Sequence, residues 1–464
     1  MERYDVAVIG AGPGGYVAAI RAAQLGLSVA IIERRYWGGV CLNVGCIPSK
    51  CLLEDTHLYY EVVKHGALRG VNATGVTHDW QAMQSRKEKV VHQLTRGVEV
   101  LLKKNGVALY FGDAQFKDER ALGVSSADGQ KSEIIADNFI IATGSRSATL
   151  PHIKPDGERV ITSTEALSLP RIPKSLAVIG AGAIGLELGS VYARLGTEVC
   201  FVEIMPQALP GMDVELAKTL VRQLKKDKIA IHLESKVASL EISGEGVALS
   251  VEGKFTGTID AELVLLSVGR APVTDTLNLG AIGVETDRKG FIKVNDEYRT
   301  AVPNVMAIGD VIGGLMLAHK ASHEGVAAAE VLAGFPHPKS RLVPAVVYTS
   351  PEVASIGLTE QQAAEKGHKV KTGRFFFGAN GRAMAMNQAV GLVIVVADED
   401  SDEMLGMHMV GPMAGELIHE AEVALAARMK LAEYQQLVRA HPTLAEAIGE
   451  AALDVNGHAI HKIG

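Results

Sequence analysis

Tyr4-Asp5-Val6-Ala7-Val8-Ile9-Gly10-Ala11-Gly12-Pro13-Gly14-Gly15 is the stretch on which the fold turns. Its apolar half suits a buried parallel strand, and its glycine half suits a tight turn into a helix. That helix is predicted from about Tyr16 to Leu25, stopped by Gly26. A second strand, Ser28-Val29-Ala30-Ile31-Ile32, then ends on Glu33. The same order returns later: strand Leu176 to Ile179, loop Gly180-Ala181-Gly182-Ala183-Ile184-Gly185, helix to about Leu195, Gly196, strand Glu198 to Val202, and Glu203. First glycine and terminal acid lie 23 residues apart in each copy.

One G-x-G-x-x-G is weak evidence, because plain βαβ units also have tight turns. Strand, loop, helix, strand and acid at one spacing, found twice, are strong evidence for two dinucleotide sites. The first glycine makes the turn and the second lets backbone approach a pyrophosphate at the helix N-terminus. The third allows close helix packing, and the acid accepts from a ribose hydroxyl.

Composition agrees. The 464 residues give a soft expectation of about three domains. A net charge of −7 disfavours a nucleic-acid binder. No apolar run is long enough to suggest a membrane span, and no signal-peptide core follows Met1, so the sequence predicts an intracellular, cytoplasmic protein. Four cysteines cannot frame a secreted disulfide scaffold.

Further apolar runs stopped by glycine, Asn138 to Gly144 and Glu262 to Gly269, occupy equivalent places after each repeat. Asn304 to Asp310 is another, and it predicts a first domain completed after the second has been inserted. The predicted ranges are 1–149 and 273–343 for the first domain, 150–272 for the second and 344–464 for a third. From Pro344 the pattern changes to strands at 345–348, 391–397 and 405–410, with helices from about Gly415 and Leu431. The fold class is therefore α/β, two Rossmann-like domains plus a C-terminal α+β domain.

The cysteine pair read as reactive lies in Gly38-Gly39-Val40-Cys41-Leu42-Asn43-Val44-Gly45-Cys46-Ile47-Pro48-Ser49-Lys50. Four intervening residues permit a small-loop disulfide if the backbone brings the two Cβ atoms within reach. Zinc would want further ligands of matched spacing, and there is no second cysteine pair. Two inert buried cysteines are the bland alternative.

The segment Gly38 to Lys50, both glycine loops, Ala142-Thr143-Gly144 and Ala307-Ile308-Gly309-Asp310 resemble the flavoprotein pyridine nucleotide-disulfide oxidoreductases. So do Ala318-His319-Lys320-Ala321, Tyr348-Thr349-Ser350-Pro351-Glu352 and His441-Pro442-Thr443. The likeness covers essentially the whole chain. It implies that Gly10, Gly12, Gly15 and Glu33 bind the ADP half of FAD. Lys50, Gly112, Thr143, Gly144, Asp310 and Ala318 would contact the rest of that cofactor. Gly180, Gly182, Gly185, Glu203 and Gly269 would serve NAD, with the Glu203 carboxylate favouring NAD over NADP.

The resemblance also makes Cys41 and Cys46 a redox disulfide, with Lys50 and Glu187 a pair beside the flavin. His441 becomes the acid/base and Glu446 its carboxylate partner. Pro442 is expected to open a helix one turn before Glu446. In the family the histidine comes from the opposite subunit, so a homodimer built on the C-terminal domain is expected. No resident metal is expected. The nearest branch oxidises dihydrolipoyl groups, which implies lipoyl domains and the peripheral-subunit-binding domain of 2-oxo acid dehydrogenase complexes as partners. Two departures stand out. Arg439 occupies a place where many members have histidine, and reads as a solvated charge; Ala445 stands where serine is frequent.

Overall fold

The computed structural model describes residues 2–244, 246–337 and 342–462. Met1, and residues 338–341 within the predicted approach to the third domain, lie outside the described residues, as do 463 and 464. Strand β1 (Glu2–Ile9), helix α1 (Pro13–Gln24) and strand β2 (Val29–Glu33) form the first crossover, with β1 and β2 parallel. Ala108–Phe111 extends the sheet beyond β2, and Lys131–Ile141 lies parallel to β1 on its other side. The distant strand Val305–Ala307 pairs with the latter, Val305 opposite Phe139. The segment after the second repeat thus returns to the first sheet.

The alternation of side chains along β1 covers both faces. Val6 and Val8 join one apolar cluster, Ala7 and Ile9 another, and all four are buried. The first cluster includes α1 and the helix from Ala318 to Leu332. These two helices approach closely: a Cβ on Gly325 would lie 2.4 Å from the Gly14 carbonyl oxygen.

After β2 the chain makes two consecutive helices, α2 (Gly39–Val44) and α3 (Cys46–His65). The second repeat forms β3 (Ser175–Ile179), α4 (Ala183–Arg194) and β4 (Glu198–Val202) in a five-stranded sheet whose pairings are all parallel. Ser145–Ser147 pairs with Arg270–Pro272, a two-stranded ribbon where the chain enters and leaves this unit. The C-terminal sheet is antiparallel, in the order 345–347, 352–357, 404–411, 392–398, 370–376. Its core also includes helices Ala414–Ala426 and Glu446–Asp454.

Several expectations need correction. Helix α1 begins at Pro13, because proline suits the first helical turn and the last two glycines of the motif lie inside the helix. The helix expected from Leu431 is a single turn ending at Tyr434. Pro442 does not open a helix; Glu446 itself is the first residue of the final one. The 25-residue helix Trp80–Lys104, capped by Asp79 accepting from the Ala82 N–H at 3.0 Å, had no counterpart in the sequence reading.

Candidate active site

The two glycine loops are near copies in backbone detail. Gly10 and Gly180 have φ of 100° and 102°, left-handed values that favour glycine. A Cβ at either would strike the backbone of the neighbouring strand end, 2.4 Å from Ala142 O and 2.5 Å from Ser267 O respectively. Gly15 and Gly185 crowd the carbonyl of the first glycine, with added Cβ atoms at 1.8 and 2.4 Å. Gly12 and Gly182 cap α1 and α4 with no side-chain hydrogen bond. The first-turn N–H groups of both helices are therefore left for a ligand oxygen, the arrangement that binds a pyrophosphate.

The acids do something the spacing did not disclose. Glu33 accepts from the Ala11 N–H at 2.7 Å through one oxygen and from Arg35 N–H at 2.8 Å through the other. Glu203 repeats this, accepting from Ala181 N–H at 2.7 Å and Met205 N–H at 2.8 Å. Both are buried. Each carboxylate clasps its own glycine loop, and with several lone-pair sites per carboxylate this does not exhaust its capacity for a ribose.

Around the first loop, Gly10, Glu33, Gly112 and Thr143 line one small cavity together with Arg34, Val273 and Leu277. Gly112 donates its N–H to the Glu33 carbonyl at 2.8 Å. Thr143 Oγ1 donates to Val273 O at 2.6 Å, and Gly144 O accepts from Val273 N–H at 3.0 Å. Gly144 and Gly269 have φ of 69° and 116° and open space where a Cβ would point. Asp310 accepts from Ser145 Oγ, while the Arg270 guanidinium bonds Ser145 Oγ at 2.6 Å and lies 3.7 Å from Asp310. Burial lowers the pKa of Arg270, and Asp310 opposes that shift. Ala318 is the first residue of α5 (Ala318–Leu332), which also has no side-chain cap. Arg270 and Ser145 were not singled out as site residues; the ribbon that unites them is tertiary.

Cys41 on α2 and Cys46 at the start of α3 form a disulfide, their Cα atoms 4.7 Å apart. The redox segment is tied to the first glycine loop: Gly38 N–H donates to Ala11 O at 2.9 Å. Gly39 has φ of 62°, and a Cβ there would sit 2.5 Å from the Gly12 Cα. One turn into α3, Lys50 Nζ donates to Glu187 Oε2 at 2.7 Å. Glu187, on α4, is buried, against the plain solvated residue its helix pattern suggests. The other Glu187 oxygen accepts from Tyr348 N–H at 3.0 Å, and Lys50 Nζ stands 4.6 Å from the Tyr348 ring centroid. Tyr348 belongs to a quoted motif, yet its backbone role could not be read there.

His441 and Glu446 meet, Nδ1 to Oε1 at 2.9 Å, while Glu446 Oε2 accepts from Thr443 N–H at 2.8 Å. These two bonds, the backbone one first, hold the Glu446 carboxyl below its usual pKa. The pair lines a cleft of about 280 Å³ with Arg439, Glu450 and His461; neither Cys41 nor Cys46 lines it. The His441 side chain is 80% exposed. Arg439 is not a solvated charge. It is 10% exposed, bonded to Glu420 at 2.6 Å, and stacked 4.8 Å from the Tyr434 ring centroid, because its planar head can satisfy a carboxylate and an aromatic face together. Ala445 precedes the final helix and offers no side-chain cap.

Known proteins share this arrangement. A family model described as pyridine nucleotide-disulphide oxidoreductase matches residues 4–325, and its dimerisation domain matches residues 343–452. Dihydrolipoyl dehydrogenase, mitochondrial, of Pisum sativum is 48% identical, covering 99% of this chain and 93% of that protein. The mitochondrial dihydrolipoyl dehydrogenase of Schizosaccharomyces pombe is 44% identical, over 97% of this chain and 89% of that protein. Among solved structures, LpdA from Mycobacterium tuberculosis superimposes with a TM-score of 0.89 at 27% identity, covering 97% of this chain and 99% of that one. The repeated nucleotide loops, the disulfide between them and full-length likeness converge: the chain belongs to the pyridine nucleotide-disulphide oxidoreductases, which use FAD and a pyridine nucleotide.

Proposed function

We infer that the chain is a dihydrolipoyl dehydrogenase, oxidising the dithiol of a dihydrolipoyl group to the cyclic disulfide with reduction of NAD+ to NADH. The carrying observation is the Cys41–Cys46 disulfide at the head of α3, in a segment whose Gly38 N–H is bonded to the first dinucleotide loop. Relatives bearing that name at 44–48% identity support it.

The chain's own residues suggest the following steps. His441, oriented by Glu446, takes the proton of a substrate thiol, whose thiolate attacks Cys41 Sγ; the Cys41–Cys46 bond breaks, and Cys46 leaves as a thiolate favoured by the N-terminus of α3. The second substrate thiol attacks the mixed disulfide and frees Cys41, its proton passing to the freed thiolate. The substrate leaves as a cyclic disulfide, and its two electrons remain in the enzyme dithiol. Bound FAD supplies the two-electron relay from that dithiol to NAD+. Lys50, held by Glu187 and Tyr348, places a cation beside the relay. Gly180, Gly182, Gly185, Glu203 and Gly269 would hold NAD, while Lys50, Gly10, Gly12, Gly15, Glu33, Gly112, Thr143, Gly144, Asp310 and Ala318 would hold FAD.

By the family likeness, the reading requires a homodimer in which His441 serves the other copy. Matching of a dimerisation domain supports that. Lipoyl and peripheral-subunit-binding domains of 2-oxo acid dehydrogenase complexes are the proposed partners, and 1–149 with 273–343, 150–272 and 344–464 the proposed domains. Among the described residues no helix is long and apolar enough to cross a membrane. The cytoplasm is the proposed compartment on sequence grounds, although plant and yeast relatives are named mitochondrial; cell fractionation decides between them.

The test is anaerobic reduction of the FAD-loaded dimer by dihydrolipoamide. A long-wavelength thiolate-to-flavin band is expected, absent in Cys46→Ser. A band that survives in Cys46→Ser contradicts the role given to Cys46. Steady NADH production from dihydrolipoamide and NAD+ separates an enzyme from a silent scaffold of the same fold.

A further inference from the structure

His323 on α5 and His337, just beyond the C-terminus of that helix, face each other with Nε2 atoms 3.5 Å apart. Their ring centroids are 5.2 Å apart and the planes cross at 62°. An N–H···N bond of that length is too long to explain the pair, since such bonds run at ~2.7–3.2 Å. Two imidazole nitrogens bound at ~2.0–2.1 Å to one tetrahedral cation, by contrast, lie roughly that far apart.

The second ring nitrogen of His337 is also committed. Nδ1 lies 2.7 Å from Glu330 Oε2. The other Glu330 oxygen accepts from Arg21 on α1 at 2.7 Å. Paired with Arg21 as well, the Glu330 carboxylate is the acceptor of the His337 bond. It fixes the tautomer in which Nδ1 carries the proton and Nε2 presents its lone pair. A carboxylate behind a histidine, with Nε2 free, is the outer-shell arrangement that metal-binding histidines adopt.

We propose that His323 and His337 form a surface site for a late first-row divalent cation of the zinc class, with Glu330 as the carboxylate supporting His337. The donor set is imidazole, which suits zinc, copper and nickel and not magnesium or calcium. Among the described residues no group of three or more His, Cys, Asp and Glu is placed to share one ion, so water completes the coordination sphere. The site is reversible rather than structural. His323 is exposed and the His337 side chain retains 19% of its accessibility, leaving an entry path.

The experiment is titration of the oxidised, FAD-loaded protein with zinc chloride by calorimetry, the redox thiols being closed as a disulfide. One saturable equivalent per chain is expected. His323→Ala and His337→Ala should each weaken it at least about tenfold, and Glu330→Gln should weaken it about 10–100-fold, as outer-shell losses do. His441→Ala should leave it unchanged. No saturable binding by the parent protein overturns the proposal, and so does binding that both His323→Ala and His337→Ala retain in full. Because His323 is a solvent-facing residue, its substitution leaves folding intact and keeps the test decisive.

Discussion

Glu187 grips two neighbours at once, Lys50 Nζ through one oxygen at 2.7 Å and, through the other, the backbone of Tyr348 at 3.0 Å. Three stretches distant in sequence, α3, α4 and the start of the C-terminal sheet, converge on this buried carboxylate. A glutamine of the same size keeps one acceptor and turns two amide hydrogens toward the remaining donor. Glu187→Gln should therefore cost about 1–3 kcal/mol of stability through an unmatched buried donor. Denaturant unfolding of the FAD-loaded protein measures this, and dihydrolipoamide turnover should fall in the same variant. An unaltered midpoint would mean the clasp contributes nothing.

The matched acids allow the two nucleotide sites to be told apart. Glu203→Gln removes an ionic acceptor from the second loop only, and should raise the KM for NAD+ about tenfold, or ~1.4 kcal/mol, one charge-assisted hydrogen bond. Its flavin content should equal that of the parent. Glu33→Gln should instead lower flavin retention, read as the ratio of flavin to protein absorbance after purification. The opposite pattern would exchange the two assignments.

Two glycines in helices should respond with opposite sign. Gly15→Ala places a Cβ 1.8 Å from the Gly10 carbonyl, in backbone that cannot yield cheaply. It should destabilise by about 1–3 kcal/mol or more and impair flavin binding. Gly97, inside the helix Trp80–Lys104, has nothing within 4 Å of an added Cβ. Gly97→Ala should stabilise by about 0.5–1 kcal/mol. Thermal melts of the two variants beside the parent decide both.

Glu446 supplies a pH dependence. Its carboxyl is held below the ordinary 4.5 by the Thr443 N–H and by His441. A depressed folded-state pKa stabilises above the unfolded value, and that contribution is lost as pH falls through the folded value. Glu446→Gln should thus be less stable than the parent near neutrality, with the gap closing at pH below 4.5. Turnover should also fall, because the ring of His441 loses its orienting partner. A stability gap that is the same at every pH would assign the effect to packing.

What could be read in advance follows from how local each feature is. The loops at Gly10 and Gly180 declare themselves because turn, helix and strand are contiguous, and burial of Val6 to Ile9 follows from an uninterrupted apolar run. Strand Val305–Ala307 was legible as an apolar run completing the first domain, but the full extent of its partner Lys131–Ile141 and their pairing were not. The contacts that brace the site were not legible from the residues themselves, although the family likeness pointed to the Lys50–Glu187 pair. Glu187 has an ordinary helical context, and its burial arises only when α4 meets Lys50 and Tyr348. Arg439 reads as a surface residue, and its side chain is largely covered because Glu420 and Tyr434 approach from elsewhere in the chain. Helix Trp80–Lys104 escaped notice because its first half is strongly charged.

The Gly38 amide bonded to Ala11, and the absence of room for a side chain at Gly39 beside Gly12, make the span from Glu33 to Cys41 a tether of fixed reach. An insertion there would slide the sulfurs along the nucleotide pocket while leaving each half intact by itself. Length, more than residue identity, is what this stretch must preserve, and a library of one- or two-residue insertions across positions 34–37 would meet a sharp boundary at the first added residue.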